Sequence, residues 1–134
     1  MIERIFTPQE AEDLIPSLEQ IVSNMLEHRK TALLLGKELE TMQERIQSGE
    51  NVIASELMNK RTELEFIIEI IQESLNQIEE LGGQLKDLDT GLVDFPAMID
   101  GEEVLLCWKY GEKSIRFYHN SSDGFAGRKP LKKG

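Results

Sequence analysis

At 134 residues the chain has room for one domain, or for one elongated unit with an appended module. A formal net charge of −10 speaks against a generic nucleic-acid binder, because phosphate contacts need a basic surface, and here only residues 124–134 are basic, with Arg128, Lys129, Lys132 and Lys133. The single cysteine, Cys107, excludes an intrachain disulfide and fits a reducing cytosol, and no apolar run approaches the roughly 20 residues of a membrane span.

The opening Met1-Ile2-Glu3-Arg4-Ile5-Phe6 has no apolar stretch of the secretory kind, so no export signal is expected. Phe6-Thr7-Pro8-Gln9-Glu10 reads as a helix start. Thr7 is the N-cap, Pro8 fits the first helical position, Glu10 completes a capping box, and Phe6 can staple against Ala11. An apolar ladder follows at alternating steps of four and three: Leu14, Leu18, Ile21, Met25, His28, Ala32, Leu35, Leu39, Met42 and Ile46. That spacing is a heptad seam. Pro16 lies inside it and should bend the helix, since proline removes a backbone donor.

Gln47-Ser48-Gly49-Glu50-Asn51 reads as a turn. The second ladder is Leu57, Arg61, Leu64, Ile68, Ile71, Leu75, Ile78 and Gly82, and Gly82-Gly83 ends it. The two ladders register as antiparallel partners. Met42 with Leu57, Leu35 with Leu64 and His28 with Ile71 have numbers that add to 99, which centres the hairpin near Gly49. Helices over about 7–47 and 51–82 are expected, together a long antiparallel coiled-coil hairpin over 1–83. His28 is read as a polar seam residue that fixes register. Arg61 is expected to reach Glu38 or Glu40 across the seam. A second apolar stripe (Ile15, Val22, Leu26, Leu33 on the first helix; Ile53, Phe66, Ile67, Ile70, Leu81 on the second) lacks cover in an isolated hairpin. A homodimer closing a four-helix bundle is the simplest cover.

Beyond Gly83 the pattern changes to a β-module over 84–128, with a basic tail over 129–134 read as frayed. Leu85–Leu88 and Leu92–Ala97 are extended, and Pro96 argues for an edge or a strand end. Asp100-Gly101 is a hairpin turn. Val104–Tyr110 and Ser114–His119 complete a meander of three or four strands. Val104, Leu106 and Trp108 share one face, Ile115, Phe117 and His119 share another, and both faces are expected in the core. The fold class is α+β.

The polar residues of this module are Asp94, Glu112, His119, Asp123 and Arg128. A histidine near carboxylates is raw material for acid–base work or for a metal, so Asp94, Glu112 and His119 are the candidate catalytic groups and Asp94 and His119 the candidate metal ligands. Asp94 can accept from His119 or from Arg128. The alternative for the whole cluster is a salt bridge pinning Phe125-Ala126-Gly127-Arg128 onto the sheet. No HExxH, paired CxxC or Walker glycine pattern accompanies it, so no cofactor is expected.

Gly91-Leu92-Val93-Asp94-Phe95-Pro96-Ala97, Leu106-Cys107-Trp108 with Gly111-Glu112, His119, and Gly124-Phe125-Ala126-Gly127-Arg128 with Pro130-Leu131 together resemble an uncharacterised bacterial family, domain of unknown function 2203. Phe6-Thr7 with Glu10-Ala11 and Leu14 through Pro16 is similar to that family's opening. Tyr118 departs from the pattern, where Trp is expected. The resemblance supplies no mechanism, but it implies that the β-module is the characteristic part, with Asp94, Trp108, Glu112, His119 and Arg128 as residues for a ligand or partner.

Two functions fit. The first is a non-enzymatic cytoplasmic interaction or scaffold protein that dimerises through the hairpin and offers the β-module to a protein partner. The second is a small ligand- or metal-binding protein, a hydrolase being one form of it, with its site in the β-module. No membrane or nucleic-acid partner is expected.

Overall fold

The computed structural model describes residues 4–121 and 124–131. Three helices, α1 (Pro8–Glu12), α2 (Ile15–Gln47) and α3 (Ala54–Leu81), precede a five-stranded sheet. Its strands are β1 (Gln84–Asp87), β2 (Leu92–Ile99), β3 (Glu102–Lys109), β4 (Phe117–His119) and β5 (Lys129–Pro130), each paired antiparallel with the next in chain order. The α+β class is as expected, with five strands instead of three or four. The additional strand, Lys129–Pro130, lies in the segment expected to be tail; Asp123, Lys132 and Lys133 fall outside the described residues. The chain forms two compact units, Met1–Ser23 with Leu75–Gly134, and Asn24–Ser74.

The first unit opens with the capping box that the sequence implies. The Thr7 hydroxyl accepts from the Glu10 N–H at 3.1 Å, and Glu10 accepts from the Thr7 N–H at 2.9 Å. Pro16 does more than bend the helix. The helix stops after Glu12 and restarts at Ile15, with Asp13 and Leu14 in a turn. Proline at 16 cannot donate to the Glu12 carbonyl four residues back, and its ring crowds that carbonyl, so the break falls just upstream. Glu12 is thereby placed to accept from the Ile115 N–H at 3.0 Å, a contact that no local pattern foretells.

In the sheet, Asp100 (φ 50°) and Gly101 (φ 79°) form the two-residue turn between Ile99 and Glu102, with both centres left-handed as a type I′ hairpin requires. Pro96 lies within β2 rather than at its end. It is tolerated because β1 pairs with β2 only as far as Asp94, so this stretch has a locally open edge. That edge receives Phe6, whose N–H donates to the Pro96 carbonyl at 2.7 Å. The Phe6 ring meets Phe95 edge to face, with centroids 5.1 Å apart. Leu18, Val22 and Ile78 join Phe6, Val93, Phe95, Leu106 and Trp108 in a core where none is more than 1% exposed. Each buried aromatic removes about 150–250 Å² from water, worth about 4–6 kcal/mol before conformational entropy is subtracted.

One expectation about faces needs correcting. Leu106 pairs with Tyr118 and Leu105 with His119. Phe117 and His119 therefore lie on the face of Leu105 and Cys107, opposite to Val104, Leu106 and Trp108. Strand alternation alone cannot relate two strands; their mutual register decides it.

In the second unit the hairpin turn closes as a Schellman motif. Glu50 N–H donates to the Arg45 carbonyl at 2.9 Å and Gly49 N–H to that of Ile46 at 3.1 Å, with Gly49 at φ 85°. Half of the expected α3 seam holds, with Ile78 buried and Leu57, Leu64 and Ile71 half-buried, while its alternate positions shift by one residue. Ile67 and Ser74 are buried, whereas Arg61 is exposed and Ile68 is 53% exposed. Lys60, not Arg61, pairs with Glu38. Both sets of positions follow heptad spacing and both contain isoleucine, so periodicity alone leaves the choice open. His28 is half-buried, and its Nδ1 donates to the Asn24 carbonyl of its own helix at 2.8 Å.

Gly82 (φ 97°) ends α3 in the same motif, and a Cβ there would come within 2.5 Å of the Phe6 ring. Gly49 has open space around the same position. Gly49→Ala should cost about 1 kcal/mol of backbone strain, and Gly82→Ala about 2–3 kcal/mol from strain and displacement of Phe6. Equal losses in urea unfolding would show that Phe6 does not fill that space.

Candidate functional site

The hairpin register places Asp94 of β2 directly opposite Cys107 of β3. On the other side of β3, Cys107 faces Phe117 and Leu105 faces His119. Asp94, Cys107 and His119 thus share one face of the sheet, His119 diagonal to the cysteine. A carboxylate oxygen, the thiol sulfur and a ring nitrogen lie within 4.8 Å of one another. All three residues are buried, with exposures of 1%, 0% and 2%.

The hydrogen bonds define the protons. His119 Nδ1 lies 2.7 Å from the Asn120 carbonyl, an acceptor only, so Nδ1 carries a hydrogen and donates. His119 Nε2 lies 3.0 Å from Asp94 Oδ2. A bare imidazole nitrogen facing a carboxylate oxygen would be repulsive, so one proton is held between them. The pair is therefore an imidazolium with a carboxylate, or an imidazole with a carboxylic acid, at the same total charge. Asp94 Oδ1 is buried and has no hydrogen-bond partner among the described residues. An oxygen left in this way costs about 1–3 kcal/mol. The Cys107 thiol is pushed up to about 12 by burial and by the negative Asp94, with Arg128 acting in the opposite direction. It is a protonated, unreactive thiol at neutral pH.

Glu112 and Arg128 form a separate arrangement. Arg128 Nη2 donates to Glu112 Oε1 at 2.7 Å and Oε2 at 3.0 Å, and to the Cys107 carbonyl at 3.2 Å. Its guanidinium lies over the Phe117 ring, 4.2 Å from the centroid. Glu112 also accepts from the Lys109 N–H at 2.7 Å, and its carbonyl accepts from the Trp108 indole N–H at 2.9 Å. Arg128 therefore fastens the C-terminal segment to β3, and Asp94 turns to His119 instead. Trp108 is wholly buried, so it belongs to the core and is not presented to a partner. Of the five residues singled out by sequence, Asp94 and His119 converge, Glu112 and Arg128 pair beside them, and Trp108 faces the other side.

Cys107 is the member that sequence reasoning passes over, taken there only as a mark of redox compartment. The signal was present. A two-residue turn at Asp100-Gly101 requires paired residues of β2 and β3 to have numbers adding to 201, which puts Cys107 opposite Asp94. Together the three residues offer sulfur, nitrogen and oxygen donors, the set that could hold a metal ion.

The thiol gives a pH prediction. Its ordinary value is 9.0 and its folded value about 12, so the unfolded chain loses this proton first. The stability due to Cys107 is complete below pH 9 and declines as pH rises from about 9 towards about 12. Melting temperatures of wild type and Cys107→Ala over that range should show the shallower alkaline decline in the variant. Parallel curves would mean that the thiol is solvated.

Searches of curated proteins and of solved structures each returned no match. The model of one family, described as an uncharacterized conserved protein (DUF2203), matches residues 4–131. That match spans all five strands and the Asp94, Cys107 and His119 positions, and the chain belongs to this family.

Proposed function

We propose that this chain is a non-enzymatic cytoplasmic interaction protein that dimerises through its helical hairpin. The observation that carries the reading is the apolar surface of the Asn24–Ser74 unit. Leu33 is 52% exposed and Ile68 53%. With Ile67 and Ile71 turned inward on α3, Ile68 occupies the flanking position next to the seam. Leu26 and Leu33 occupy the equivalent flank of α2, and antiparallel helices bring like flanks to the same side. One side of the hairpin therefore carries Leu26, Leu33 and Ile68, where solvent-facing heptad positions ordinarily carry charge.

A second copy of the chain is the occupant that this surface suits. Its residues keep heptad spacing, and a twofold pairing sets the same apolar positions against each other in a four-helix arrangement. The buried, protonated Cys107 is compatible with a reducing compartment, and among the described residues no helix is long and apolar enough to cross a membrane.

Sedimentation equilibrium at micromolar concentration should show a dimer. Leu33→Glu with Ile68→Glu should weaken association by at least about 100-fold, since each dimer would bury unpaired carboxylates, with helicity retained. A wild-type protein that stays strictly monomeric at high micromolar concentration overturns the reading.

A further inference from the structure

We propose that Asp94, Cys107 and His119 form a binding site for one divalent d-block cation of the zinc class, which ties β2, β3 and β4 together. The inference concerns the sheet-bearing unit and is independent of the dimer.

Three observations carry it. First, the donor set is right. One thiolate, one imidazole nitrogen and one carboxylate are ordinary zinc ligands, and they come from three adjacent strands whose register the hairpin turn and the β3–β4 pairing fix. Second, the histidine is oriented as a ligand. Its Nδ1–H donates to the Asn120 carbonyl, which leaves Nε2 as the ring nitrogen directed at Asp94. A backbone acceptor behind the distal nitrogen is the usual support for a metal-bound histidine. Third, Asp94 Oδ1 is a buried carboxylate oxygen with no hydrogen bond of ordinary geometry among the described residues, the weak-donor Cys107 thiol beside Asp94 apart. Salt-bridge formation alone gives no reason to leave it so, whereas a cation held by both Asp94 oxygens satisfies it.

Charge and size agree. Thiolate and carboxylate together supply two negative charges and the imidazole none, so a divalent ion leaves the site neutral in an interior where net charge is costly. Binding releases two protons, one from the Cys107 sulfur and one from between Nε2 and Oδ2. Tetrahedral N and O ligands with bonds of about 2.0 Å stand about 3.3 Å apart. The present Nε2–Oδ2 distance is 3.0 Å, so the pair opens by only a few tenths of an ångström. With both Asp94 oxygens, the His119 Nε2 and the Cys107 sulfur as four donors, and all three residues buried, the ion is structural rather than catalytic.

The test is cobalt substitution. Full-length protein is unfolded with chelator, then refolded in the presence of Co2+ so that the buried site is accessible. The expected result is one Co2+ per chain, with thiolate-to-cobalt charge-transfer absorption in the near ultraviolet. Zn2+ should displace the signal stoichiometrically and raise the melting temperature. Cys107→Ala should abolish the charge-transfer band. His119→Gln should weaken binding by at least about 100-fold, since loss of even an outer-shell partner costs about 10–100-fold. Because either variant can disturb the sheet, the wild-type spectrum decides. Refolded wild type that takes up no Co2+, or takes it up without a thiolate band, overturns the proposal.

Discussion

The type I′ turn at Asp100–Gly101 sets β2 against β3, and a slip of one residue there would turn every side chain of β2 to the opposite face. Val93, Phe95 and Ala97 would leave the core and Asp94 would enter it. The turn therefore fixes two things at once. It places Phe95 where Phe6 can reach it, and it places Asp94 beside Cys107. The apolar face holds the unit together, and the opposite face carries the polar cluster. Both depend on two left-handed residues, one of them a non-glycine.

The polar cluster is unusual in being as dry as the apolar face behind it. A sheet with one face on a core commonly leaves the other to water. Here Asp94, Cys107 and His119 are as buried as Trp108 behind them. The C-terminal segment makes that possible: β5 pairs with β4, and Arg128 anchors to Glu112, to the Cys107 carbonyl and to the Phe117 ring. Glu112 and Arg128 thus fasten the C-terminal segment to β3 beside the three donors. This division of labour explains why the two pairs stand side by side without mixing.

Much of this was legible in the sequence where local rules apply. The capping box at Thr7, the glycine ends at Gly49 and Gly82 and the hairpin at Asp100–Gly101 all rest on backbone chemistry within a few residues. What escaped depends on relations between separate elements. Ile67 and Ile68 are both isoleucine, so hydrophobicity could not say which faces inward, and only packing decides. The face of His119 depended on how β4 joins β3 across Tyr110–Arg116, a connection too long for its one β-turn at Lys109–Glu112 to set the register. Glu12 meeting Ile115 is a relation across most of the chain and leaves no periodic trace.

The N-terminal segment has a consequence for how the chain is made. Phe6 is buried against Phe95 and Pro96, and Glu12 accepts from Ile115, so the first residues synthesised meet these partners only after the helices have been made. The helical hairpin, built from near-neighbour contacts, can form while the remainder is still being translated. By pairing α2 with α3 it shortens the effective loop between residues 23 and 75 and lowers the entropy cost of uniting the two sequence segments of the first unit. Until that happens Phe6 is an uncovered aromatic on a nascent chain, and premature termination before Phe95 would leave it so.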